Sequence, residues 1–187
     1  MGNSMLLNNC LKPLLLIFVF NVIFSCNHLS NSNKDTDITA QPPDSIKEAM
    51  VKKNRLDMQE EASIISSFIN RRKWKMETSG TGLRYWIYEK GTGKVSPKKD
   101  DFATVAYTLY TLDGTLCYKV TADKPEIFQL GKATITHGLE EGVTYMVEGD
   151  KARLIVPKHL GYGMMGDSKN VPPNAILFYD VQLLSVK

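Results

Sequence analysis

The stretch IFQLGKATITHGLEEGVTYMVEGDKARLIV, running from Ile127 to Val156, decides what kind of fold this chain adopts. Ile127 to Gly131 and Ala152 to Val156 are short apolar runs of strand length. Between them the period changes, because Leu139, Val143 and Met146 fall at i, i+4 and i+7 on the stripe of one amphipathic helix that starts near His137. Working outward, Phe102 to Leu112 alternates, with Val105, Tyr107, Leu109 and Thr111 on one face. It meets a turn at Asp113-Gly114, and a second strand begins at Thr115, the pattern of a hairpin. Leu83 to Glu89 is an aromatic-rich strand closed by Gly91-Thr92-Gly93, and Ala175 to Val186 completes the set with Leu177, Tyr179, Val181 and Leu183 pointing inward. Several antiparallel strands with one short helix predict an α+β half-barrel, the helix stoppering the apolar face of a curved sheet.

The first 25 residues are of another kind. Pro13 to Phe24 is almost unbroken apolar sequence behind Lys12, shorter than the roughly 20 residues a spanning helix needs, and reads as a secretory signal. It ends in Ile23-Phe24-Ser25-Cys26, which resembles the bacterial lipobox, so Cys26 is the expected site of lipidation. Residues 26–44 are Asn, Ser, Asp, Thr, Gln and Pro with few large apolar groups and are expected to form a tether. Residues 45–76 form a helical extension, one helix or a pair. Ile64, Ile65, Phe68 and Ile69 recur at helical spacing, to pack on the domain or to space it from the membrane. The folded domain is 77–187.

In 187 residues, 43% are hydrophobic and 23% charged, and the net charge of +3 gives no basic footprint for nucleic acid. Once Cys10 leaves with the signal and Cys26 carries lipid, Cys117 stands alone and no intrachain disulfide is expected. His28, His137 and His159 show no metal-ligand spacing. Ser79 and Ser168 lack a nucleophile-elbow context, and Gly91-Thr92-Gly93-Lys94 lacks the full phosphate-loop pattern.

Leu130-Gly131-Lys132, Gly138-Leu139-Glu140-Glu141-Gly142-Val143, Met146, Gly149 and Leu154-Ile155-Val156-Pro157 lead to Leu160-Gly161-Tyr162-Gly163. Val171-Pro172-Pro173-Asn174-Ala175 and Leu177-Phe178-Tyr179-Asp180-Val181 follow. From about Leu83 to Lys187 the chain thereby resembles the FK506-binding-protein (FKBP) type peptidyl-prolyl cis-trans isomerases. Signal, tether and helix are also similar to FKBP-type lipoproteins associated with gliding motility.

The resemblance implies a cavity that seats a proline ring and needs no cofactor or metal. By position, Tyr107 and Tyr179 would form walls, and Ile135 and Leu139 would lie near the floor. The Tyr162 hydroxyl and the Thr136 backbone N–H would donate to the substrate. Cys117 and Tyr118 would border the cavity, with Val171 closing the rim. Taken singly, inward aromatics are more often core packing than ligand contacts, and Tyr162, in a Gly-flanked loop, is the strongest candidate.

Departures from the family pattern are Cys117-Tyr118 in place of Phe-Asp, Glu126 in place of an aromatic, and Leu139 in place of Trp. Loss of that Asp is expected to remove an acceptor from the cavity and to weaken turnover. The implied role is folding of proline-containing polypeptides at the cell envelope, with the lipid facing the periplasm or the cell surface. A non-catalytic binding module and a structural lipoprotein of a motility apparatus are the other readings.

Overall fold

The computed structural model describes residues 44–132 and 134–187. The signal run, Cys26 and nearly all of the tether lie outside the described residues. Asp44 to Arg72 forms a single helix, α1, which settles the choice between one helix and a pair. No Gly or Pro interrupts it, and Asp44 in the first turn with Arg71 and Arg72 in the last turn complements the helix dipole.

The strands that follow are β1 (Glu77–Thr78), β2 (Arg84–Glu89), β3 (Phe102–Thr111), β4 (Leu116–Val120) and β5 (Glu126–Gln129). A second helix, α2 (His137–Thr144), precedes β6 (Lys151–Val156) and β7 (Leu177–Val186). Every pairing is antiparallel, in the order β1-β2-β6-β7-β3-β4, with β5 also on β3. Register shifts at Ile87/Glu89, Leu109/Tyr110 and Thr104/Val105 add local bend and twist. The result is the expected curved, unclosed sheet with one short helix on its inner face.

The inner face carries the main core. Along β7, Leu177, Tyr179, Val181 and Leu183 are buried at alternate positions, as the period of two requires. Val105 and Leu109 of β3, Leu154 and Val156 of β6, and Leu139, Val143 and Met146 from the helical stripe join them. The outer face near β6 and β7 is apolar too. Ile155 and Phe178, one residue out of phase with the inner set, pack with Ile65 and Phe68 of α1 and with Trp74 and Met76 beyond it. The Phe68 ring lies 5.7 Å from Trp74 and 6.2 Å from Phe178. Only the C-terminal part of α1 is held this way, and Ile46, Met50, Val51, Leu56 and Met58 are exposed. Ile64, which shares the apolar spacing, is also exposed, at 45%.

One polar residue sits on the docked stripe. Glu61 is buried, and its Oε1 accepts the Lys158 N–H at 2.8 Å. That bond secures the start of the turn Lys158–Leu160, and the chain continues from it into Gly161 and Tyr162. No helix among the described residues is long and apolar enough to cross a membrane.

The packing separates neighbours on α1. Phe68→Ala should lower unfolding free energy in denaturant by about 3–5 kcal/mol, whereas Ile64→Ala should stay within about 0.5 kcal/mol. Equal losses at the two positions would contradict the docking described.

Candidate functional site

A cavity of about 340 Å³ opens at the N-terminal end of α2. Strand β3 brings Tyr107 to it and β7 brings Tyr179, with their rings 5.4 Å apart and edge-on. The segment entering α2 supplies Thr134, Ile135 and Thr136, and the first turn of the helix supplies His137 and Leu139. Gly161 and Tyr162 come from the loop after β6, and Glu126 comes from β5. Six residues singled out in the sequence, Tyr107, Ile135, Thr136, Leu139, Tyr162 and Tyr179, therefore meet around one space.

Three others do not line it. Cys117 is a buried member of the inner core, its Sγ 3.7 Å from the Thr115 carbonyl oxygen, and burial pushes its thiol pKa up. A buried thiol held protonated is a small apolar group. Tyr118 packs against the core and donates its hydroxyl to Asp167. Val171 is buried in the same core.

The hydroxyl groups divide into spent and unspent donors. Tyr107 donates to Glu126 Oε2 at 2.6 Å. Tyr179 and Thr136 Oγ1 are 3.1 Å apart and pair with each other, so Thr136 makes no side-chain cap to α2. Burial is the first cause that raises the pKa of Tyr107 and of Tyr179, and all three cavity tyrosines stay protonated at neutral pH. The Tyr162 hydroxyl has no hydrogen-bond partner among the described residues. Its pKa is raised by burial first and by the Asp167 and Glu126 carboxylates next. The Thr136 N–H likewise meets no acceptor among the described residues, while its carbonyl takes the N–H groups of Leu139 and Glu140.

Glu126 corrects one expectation. The Asp missing at position 118 does not leave the cavity without an acceptor, because a carboxylate arrives from β5 instead. Val105 pairs with Glu126 across the β3–β5 ladder, and Tyr107 follows Val105 on the same face of β3, which puts its hydroxyl within reach. The sequence signal was present, since Glu126 already stood out as a charge where an aromatic was expected.

Asp167 went unnoticed in the sequence, although Asp followed by Ser-Lys-Asn has the makings of an Asx turn. Its Oδ1 accepts the N–H groups of Lys169, Asn170 and Val171 at 2.8–2.9 Å. Partial burial pushes the carboxyl up, but the Tyr118 hydroxyl and those three amides outweigh it and bring the pKa down to about 2. Tyr118 is pushed up in turn to about 12, first by its hydrogen bond to that carboxylate. A carboxyl lowered from an unfolded value of roughly 3.9 stabilises the fold above that value and loses its contribution as pH falls toward the folded value. Amide chemical shifts of Lys169, Asn170 and Val171 should therefore hold steady from pH 7 to about 4 and move together toward pH 2. A midpoint near 4 would contradict the turn described.

The comparisons with known proteins agree with this fold. The family model for FKBP-type peptidyl-prolyl cis-trans isomerases matches residues 93–184. FK506-binding protein 1 of Candida glabrata is 35% identical over 112 residues, 59% of this chain and 97% of that protein. FkpA of Escherichia coli K12, an FKBP-type peptidyl-prolyl cis-trans isomerase, is 36% identical over 113 residues, which is 60% of this chain and 40% of FkpA. The match thus spans about two fifths of the FkpA relatives' length. The crystal structure of E. coli FkpA superposes with a TM-score of 0.57 at 32% identity, covering 76% of this chain and 69% of that one. A relative matched over nearly its whole length, and a curved sheet with one short helix superposing on a solved member, place the chain in the family of FKBP-type peptidyl-prolyl cis-trans isomerases.

Proposed function

We propose that this chain is a peptidyl-prolyl cis-trans isomerase that seats proline in the Tyr107–Tyr162–Tyr179 cavity and assists folding of cell-envelope polypeptides. Rotation about an X-Pro bond faces a barrier of about 18–20 kcal/mol and takes tens to hundreds of seconds unaided. No bond is made or broken, so no nucleophile or metal is required. The planar amide is the more polar state, and twisting it localises the nitrogen lone pair. A water-poor aromatic wall disfavours the planar form, and fixed donors hold the carbonyl as it turns.

The observation that carries this reading is the pair of unspent donors. The Tyr107, Thr136 and Tyr179 hydroxyls that line the space are paired, whereas the Tyr162 O–H and the Thr136 N–H meet no acceptor among the described residues and have hydrogen bonds to give. Ile135 and Leu139 supply apolar floor. Cys117, Tyr118 and Val171 act at one remove, by packing behind the walls and holding the loop that carries Asp167. The signal sequence and Cys26 support a lipid anchor in the envelope, with the domain facing the periplasm or the cell surface, and the similarity to motility-associated lipoproteins supports a place in a gliding apparatus.

A second reading, a binding or chaperone module without turnover, is favoured by Glu126, which puts a carboxylate where an apolar wall would select better against the planar amide. Exchange between cis and trans forms of a Leu-Pro peptide, measured with and without the protein, separates the two. We expect acceleration, with Tyr162→Phe lowering kcat/KM about tenfold, the worth of one hydrogen bond of about 1.4 kcal/mol. Unaltered turnover in that variant would remove the hydroxyl from the mechanism. No acceleration by the wild-type protein would favour the binding module.

A further inference from the structure

The cavity wall carries a charge that the isomerisation itself does not use. Glu126 Oε2 is engaged by the Tyr107 hydroxyl, a neutral donor. Its Oε1 has no hydrogen-bond partner among the described residues, and it is not sealed from solvent, since Arg153 Nε is the one buried side-chain atom there that lacks a partner. That oxygen therefore still meets water. No Lys, Arg or His among the described residues lies within ion-pair distance of Glu126, although the chain as a whole is cationic by three charges. The nearby Asp167 carboxylate differs, because a tyrosine hydroxyl and three backbone amides already satisfy it.

A polypeptide that fills the cavity displaces the water on Glu126. The carboxylate then needs a new donor, and a half-desolvated anion left unpaired counts against binding. A cation satisfies both the hydrogen bond and the charge, an amide satisfies only the first, and a second carboxylate adds repulsion. Sites built around a polar group reject partners that leave it unpaired more sharply than they reject differences in apolar shape.

We infer that Glu126 sets the sequence preference of this cavity, favouring proline flanked by lysine or arginine in the bound polypeptide and disfavouring proline flanked by acidic residues. The inference rests on the reading that proline sits in this cavity. His137, on the rim, is the other lining side chain among the described residues that can carry charge, so the preference is also measured in His137→Gln, where it should persist.

The test is two peptide series, Xaa-Pro and Pro-Xaa, with Xaa as Lys, Arg, Gln, Leu or Glu. Cis-trans exchange is followed on non-labile protons, which avoids the sequence preferences of a coupling protease. In at least one series, kcat/KM for Lys and Arg should exceed that for Leu by about fivefold, the scale of one partly screened ion pair, with Gln intermediate and Glu lowest. The Lys-to-Glu ratio should shrink in 1 M salt and collapse in Glu126→Gln. Equal rates for Lys and Glu, or a preference that survives Glu126→Gln, would overturn the assignment. Absence of exchange on every peptide would count against the isomerase reading instead. The same order is then read in binding affinities from chemical-shift titration of the same peptides, where equal affinity for Lys and Glu would overturn the assignment.

Discussion

The closeness of α2 to β6 is the constraint on which the rest of the structure depends. A Cβ at Gly138 would lie 2.3 Å from Val156 Cγ1, and one at Gly142 would lie 2.4 Å from Leu154 Cδ1. Two side chains reduced to hydrogen, one turn apart, let the helix backbone press directly onto the strand. Leu139, Val143 and Met146 then fill the remaining bowl of the sheet to near-complete burial. Beyond the first turn of the helix that filling stops, and the cavity begins where Ile135 and Thr136 lead in. Position and depth of the cavity follow from how far α2 sinks, so a helix held further out would carry Thr136 and Leu139 away from Tyr107 and Tyr179.

Polar groups around that space follow a simple rule: what is buried finds a partner inside the protein or is left for a ligand. Tyr107 is tied to Glu126, Tyr179 to Thr136 Oγ1, and Tyr118 to Asp167. The same rule operates on the far side of the sheet, where Glu61 of α1 caps the turn leading to Tyr162. The N-terminal helix lies outside the region matched by the family model, yet it is bonded to the backbone of the loop that carries Tyr162. Helix, loop and cavity are thereby one connected piece of structure.

Much of this was legible in the residues. The switch from period two to helical spacing and back fixed α2 between β5 and β6, and the alternation in β7 named its inward residues. The outer core was legible too. Ile155 and Phe178 are apolar at the positions where a strand with one wet face would be polar, which signals that something covers both faces. The long-range pairings were not. That the acceptor for Tyr107 comes from β5 depends on which strand neighbours β3, and strand order is not written in local periodicity. Glu61 could have been suspected, being a charge four residues before Ile65 on the docked stripe, but its partner is a backbone amide 97 residues away, and no side-chain pattern marks a backbone amide.

The central claim is that proline enters the space between Tyr107, Tyr162 and Tyr179. Amide and side-chain chemical-shift mapping, with transferred and intermolecular NOEs from a peptide labelled on its proline ring, tests it directly. The account predicts contacts from the ring to Tyr107, Leu139 and Tyr179, with the largest amide shift at Thr136. Ring contacts confined to another surface, or a Thr136 amide that stays still while the peptide binds, would contradict it.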